Sequence, residues 1–153
     1  VFDVNQFVLS LFDSNHFQIK KQSEDYLQLL EKEGARLEAQ AWAEAGFKQS
    51  VLKREKMIDT IYQQGVAGPH PMEQAAIKEV IDVILLKKPL LYGDKQVKII
   101  FLINIKKDHL NLHKEISRLM IKMMDDTTLD TQLTKIQSFQ DFMSYMKRLM
   151  KEG

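Results

Sequence analysis

The sequence has no cysteine, only three prolines, six glycines and a single tryptophan in 153 residues. Without cysteine there can be no disulfide framework, no thiolate metal site and no cysteine nucleophile. Nucleophilic chemistry therefore falls to Ser, Lys, a carboxylate or one of the four histidines. An excess of charge of one sign is lacking too, with 22 Lys+Arg against 21 Asp+Glu and a net charge of +1. That balance gives no electrostatic case for nucleic acid or an anionic membrane as the main partner. No apolar run is long enough to cross a bilayer, and no signal-peptide pattern is read at the start. The first residues, Val1-Phe2-Asp3, lack an initiator Met. We expect a single domain over residues 1–153, cut from a longer polypeptide, although processing would leave the same start. A composition of 44% hydrophobic and 28% charged residues is that of an ordinary globular chain.

What is present is patterned. The first third reads as helix. Ser23, followed by Glu24 and Asp25, marks a helix start, Tyr26, Leu27, Leu29 and Leu30 give it an apolar face, and Gly34 offers a break. A second helix is predicted from about Ala41 to Met57, burying Trp42, Ala45, Val51 and Leu52, and Thr60-Ile61-Tyr62 looks like a short strand. Residues 65–71, Gly-Val-Ala-Gly-Pro-His-Pro, can be neither a helix interior nor a central strand. Two strand-like runs follow at 80–86 and 97–105, the second apolar enough for a central strand covered on both faces. Residues 87–94 between them read as a connection with a turn. Helices are predicted over about 110–124, 129–136 and 138–150, with Ser138 and Asp141 marking the last start. Six methionines, at 120, 123, 124, 143, 146 and 150, fall at core-filling spacings. The fold class is α/β: a mixed β-sheet flanked by helices on both faces, a three-layer sandwich.

His70 stands between Pro69 and Pro71, so its backbone is stiff and extended. If Pro71 opened a helix reaching about Lys78, His70 would lie near an N-cap, where unpaired N–H groups favour an anion. That setting suits a histidine receiving a phosphoryl group; a Pro-rich turn with a solvated His gives the same tripeptide. Arg54 could present a planar guanidinium to phosphate oxygens, or could form a solvated helix end with Glu55. His109 follows the apolar strand, where open α/β sheets tend to place ligands. His109 and His113 are four apart and could chelate a metal on one helix. The pair lacks the internal Glu of a zinc-protease helix, and no acidic third ligand is apparent. His16 receives no role.

Taken in order, Phe47-Lys48-Gln49-Ser50-Val51-Leu52-Lys53-Arg54-Glu55, Gly65 to Pro71, Lys88-Pro89 with Tyr92-Gly93, the strand 97–105 and Asp108-His109-Leu110 are more specific than any one alone. Together they resemble the enzyme IIA domain of the fructose/mannitol class of the bacterial phosphoenolpyruvate-dependent sugar phosphotransferase system. The resemblance runs from about Phe7 to Leu149. In that family an Ala-x-Pro-His segment carries the phosphorylated histidine, matching His70. An Arg in a Leu-x-Arg-Glu segment matches Arg54, and a second histidine beside the first matches His109. One departure concerns the residue before Pro69, usually Ile, Val or Thr in the family and here Gly68. Glycine is expected to loosen the loop and to remove a side chain packed beneath it. The Pro-His-Pro ending and the Lys88-Pro89…Tyr92-Gly93 segment look more like the modules attached to sugar-operon antiterminators and activators.

The resemblance implies that His70 takes a phosphoryl group from the phosphocarrier protein HPr, usually on Nε2 in this family. Arg54 would neutralise phosphate charge and His109 would donate a hydrogen bond to the phosphoryl group. The group would then pass to an enzyme IIB cysteine, or would regulate attached PTS regulation domains. No metal or small cofactor, no nucleic acid bound by this domain and no membrane insertion are implied, and the setting is cytoplasmic. A catalytically silent interaction module would share the fold and never label.

Overall fold

The most apolar stretches of the chain lie side by side in the middle of a sheet, where both faces must be covered. In the computed structural model, which describes residues 3–22, 24–109 and 111–151, β3 (Val80–Tyr92) and β4 (Lys95–Asn104) pair antiparallel around a Gly93–Asp94 turn. β1 (Phe12–Lys20) adds parallel to β3 and β2 (Val66–Ala67) adds parallel to β4, giving a mixed sheet in the order β1-β3-β4-β2. Six helices accompany it: α1 (Val4–Ser10), α2 (Tyr26–Ala39), α3 (Phe47–Met57), α4 (Asn111–Met124), α5 (Leu129–Lys135) and α6 (Phe139–Lys151). None of these is long and apolar enough to cross a membrane.

Strand alternation divides the core in two. Ile81, Val83, Leu85, Ile99, Phe101 and Ile103 pack with Ile116 and Met123 of α4 and Phe142 and Met146 of α6. Val80, Ile84, Leu86, Ile100 and Leu102 pack on the opposite face with Leu29, Leu30 and Leu37 of α2 and Val51 and Leu52 of α3. Helices thus cover both faces, the expected three layers. The six methionines serve the first of these cores, with Met120, Met123 and Met146 buried and Met124, Met143 and Met150 packed against it.

Several expectations need correcting. The first third is not all helix: Phe12–Lys20 is an edge strand carrying the polar run Asp13-Ser14-Asn15-His16. Ser23 lies outside the described residues, and Asp25 caps α2 by accepting the Gln28 N–H at 3.0 Å. Gly34 does not break that helix. A Cβ there would come within 3.1 Å of Lys48 Cα, so the glycine lets α3 approach α2 closely. The second helix begins at Phe47 rather than Ala41, because Ala41 takes a left-handed conformation (φ 59°) and residues 41–46 form a loop. Thr60-Ile61-Tyr62 contributes only an isolated bridge between Ile61 and Ala67. Lys87-Lys88-Pro89 belongs to β3, where the register shifts between Leu85 and Leu90 and so tolerates a residue with no N–H.

Asp82 is the polar exception on the α2 face of β3. It is completely buried, 3.3 Å from Arg36, which also holds Glu33 at 2.8 Å. Burial, then the hydrogen bond and charge of Glu33, push the Asp82 carboxyl up to about 9. Glu33 is held below the usual carboxylate range despite its burial, through hydrogen bonds with Asp82, Gln18 and Arg36. An unfolded Asp titrates near ~3.9. Between that pH and about 9 the folded chain keeps a proton that the unfolded chain has released, so the Asp82 contribution to stability is lost as pH rises through this window. We expect Asp82→Asn to flatten that fall by at least about 1 kcal/mol between pH 5 and 9, measured by denaturant melts. Parallel profiles for the two chains would show that Asp82 is ionised when folded.

Candidate functional site

Pro69 and Pro71 remove two N–H groups around His70, so this loop cannot bond to itself as helix or ladder. It is tied to its surroundings instead. Gly68 N–H donates to the Thr60 carbonyl at 3.0 Å, Ile103 N–H donates to the Pro69 carbonyl at 2.9 Å, and Met72 N–H donates to Ser50 Oγ at 2.8 Å. Upstream, the Gln64 amide donates to the carbonyls of Met124 and Asp126 at 2.6 and 2.8 Å, fastening the same segment to the end of α4. The helix expected over 71–78 does not form. Ile77 and Lys78 give their N–H groups to the Trp42 carbonyl, and Ala75 accepts from Glu44, so the segment runs irregularly beside residues 42–44. The helix-end anion site expected behind His70 is therefore not formed.

The His70 ring takes its orientation from its own loop. Its Nδ1 lies 3.0 Å from the Gly68 carbonyl oxygen. A carbonyl can only accept, so Nδ1 carries the proton and the lone pair of the neutral ring is on Nε2. His70 lines a cavity of about 510 Å³ with Arg54, Pro71, Met72, Gln74, His113 and Ser117. A second, more apolar cavity of about 340 Å³ adjoins His70, His113 and Ser117 and reaches Tyr62, Ile103, Met120 and Ile121. Among the described residues no carboxylate lines either one. Arg54, at the end of α3, donates to the Ile58 carbonyl at 2.7 Å. A cavity furnished with a guanidinium, two imidazoles, an amide and a hydroxyl is chemically suited to an anion.

The histidines are not arranged as expected. His109 occupies a 3₁₀ turn ahead of α4, with Nδ1 2.8 Å from the Glu79 carboxylate and its ring edge-on to Phe7 at 6.0 Å. Among the described contacts none joins it to His70. His113, in the first turn of α4, sets its ring 5.4 Å from that of His70 in a T-shaped contact. His109 and His113 also sit on different elements with different partners, so they do not form the helical pair weighed for a metal. The position of His113 in the first turn of α4, two residues after Asn111, places it beside the loop. His16 is buried, 2.6 Å from Asp13 and 2.8 Å from Gln40, with its ring tilted against that of Trp42 at 4.4 Å, an architectural setting.

Two further residues matter. Glu55 is not a solvated partner of Arg54; it is 1% exposed and accepts hydrogen bonds from Tyr26 and Thr60. It thereby fixes Thr60, whose carbonyl holds Gly68. Gly68 does not leave a gap: a Cβ at that position would stand 2.6 Å from Met120 Cε. The space beneath the loop is filled from α4.

The family model described as "Phosphoenolpyruvate-dependent sugar phosphotransferase system, EIIA 2" matches residues 10–149. Transcriptional regulator ManR of Bacillus subtilis (strain 168) is 22% identical over 128 residues, 84% of this chain and 20% of that protein. A probable licABCH operon regulator of the same organism is 28% identical over 92 residues, 60% of this chain and 14% of that one. The chain thus spans about a fifth or less of the regulators it matches. The crystal structure of IIA mannitol from Escherichia coli superposes with a TM-score of 0.71 at 15% identity, covering 88% of this chain and 98% of the other. That likeness bears on the fold, an open mixed sheet of the mannitol IIA kind.

Proposed function

The chain belongs to the EIIA type 2 family of the phosphoenolpyruvate-dependent sugar phosphotransferase system, and from that premise we propose that it accepts a phosphoryl group on His70 Nε2 and serves as the regulatory module of a sugar-operon transcription factor. The observation that carries this reading is the bond from His70 Nδ1–H to the Gly68 carbonyl. It fixes the tautomer and leaves Nε2 as the nucleophile, in a cavity lined by Arg54 and, among the described residues, by no carboxylate. The donor in this reading is the phosphohistidine of HPr. Its N–P bond breaks as the bond to Nε2 forms, and the donor imidazole keeps the electron pair. Phosphoryl transfer asks the protein mainly for position and charge neutralisation, which the tied loop and Arg54 supply. His109, held by Glu79, fixes the turn into α4 and so acts as a positioning residue in this reading. The regulator role rests on the two Bacillus relatives; transfer to an enzyme IIB cysteine is the transport alternative.

Incubation with phosphoenolpyruvate, enzyme I and HPr is expected to add about one acid-labile, base-stable phosphoryl group per chain. Alkaline digestion should release the Nε2 isomer of phosphohistidine. Recovery of the Nδ1 isomer would refute the tautomer argument, and absence of label would favour a silent interaction module. Addition of an enzyme IIB domain distinguishes transport from regulation by loss of the label to its cysteine.

A further inference from the structure

His113 is a titratable group beside His70 that this mechanism leaves unused. The two rings meet edge to face with centroids 5.4 Å apart, and both line the same two cavities. The charged or titratable groups that share those cavities are Arg54, His70 and Tyr62, while Lys114 and Glu115 follow His113 on α4. Gln74 Nε2 lies 2.9 Å from His113 Nε2, so the amide donates and neutral His113 carries its proton on Nδ1. Resting on the reading of His70 as phosphoryl acceptor, the geometry points to His113 as a proton-linked latch that takes up a proton from solvent when His70 is phosphorylated and pairs, as imidazolium, with the phosphoryl oxygens.

Before transfer, burial and then the charge of His70 hold the His113 imidazole below the usual histidine range. It is neutral near pH 7 and places no positive charge beside the nucleophile. A phosphoryl group adds roughly 1.5 to 2 negative charges on a ring whose centroid is 5.4 Å from that of His113, and a neighbouring opposite charge favours the protonated imidazole. The positive end of α4, in whose first turn His113 sits, favours the same anion. Protonation at Nε2 reverses the bond to Gln74, whose amide must turn over to accept through Oε1. Phosphorylation would in this way be written into α4 as well as into the loop.

The test is a ¹⁵N-histidine NMR titration of the whole chain, before and after phosphorylation by phosphoramidate, with the His113 signals identified by loss in His113→Gln. Chemical phosphorylation separates this inference from the choice of donor, because failure of HPr to label would leave the titration readable. We expect the His113 pKa to rise by at least about one unit on phosphorylation, and phosphohistidine in His113→Gln to hydrolyse about tenfold faster at pH 7. An unchanged His113 titration in the wild-type phosphoprotein would overturn the inference whatever the variant does. Failure of phosphoramidate to modify His70 would overturn it together with the function proposed above.

Discussion

A His70→Ala chain is expected to take up no phosphoryl group from HPr, a loss of at least about a thousandfold in rate, while folding as before. The fold should survive because the side chain is only partly buried and makes one hydrogen bond, to a carbonyl of its own loop. The change in stability should stay within about 1 kcal/mol. Labelling stoichiometry and thermal melting on the same preparation check both halves. Full labelling of His70→Ala would move the nucleophile to His113, the other imidazole of the cavity.

The second large effect is on stability. Glu55→Ala removes the acceptor of three donors: the Tyr26 hydroxyl at 2.6 Å, the Thr60 N–H at 2.8 Å and the Thr60 hydroxyl at 2.9 Å. Burial and the Glu55 charge push the Tyr26 phenol up, so it remains a donor throughout the accessible range. Leaving these groups unpaired inside the α2–α3 core should cost about 3–5 kcal/mol and lower Tm by roughly 10 °C. Tyr26→Phe, which removes one donor without leaving an acceptor bare, should cost about 1 kcal/mol. Labelling of Glu55→Ala should also slow, since Thr60 would no longer hold Gly68 in register beneath the His70 ring. Denaturant melts measure the first effect; a loss under about 1 kcal/mol would show that the buried network carries little of the fold.

The parts of the fold legible in the sequence were those whose burial is two-sided. Residues 97–105 could be assigned because a central strand needs an almost unbroken apolar run. β1 could not, because Asp13 and His16 find their partners in each other and in Gln40, 24 positions further on. Lys87 misled for a similar reason. It reads as a loop residue, yet its ammonium caps the carbonyls of Leu133, Thr134 and Ile136 at 2.6–3.2 Å, a long-range bond that leaves no local pattern. Of the residues that line the His70 cavity, His70 and Arg54 were legible because proline spacing and the Leu-x-Arg-Glu segment are local. The choice between His109 and His113 was not legible, although the helix was expected from about 110 and begins at Asn111: it depends on the pairing of His109 with Glu79 and of His113 with Gln74, 30 and 39 positions away.

The close approach of Gly68 to Met120 has a consequence for exchange between relatives. The space that a side chain at position 68 would fill is here filled from a helix more than fifty positions away. An Ile at position 68 would require Met120 to move, and because the contact is with the terminal methyl of a flexible side chain a change of rotamer can supply the room. A loop exchanged without its helix is expected to fold with Met120 displaced, and a domain exchanged whole to leave Met120 in place.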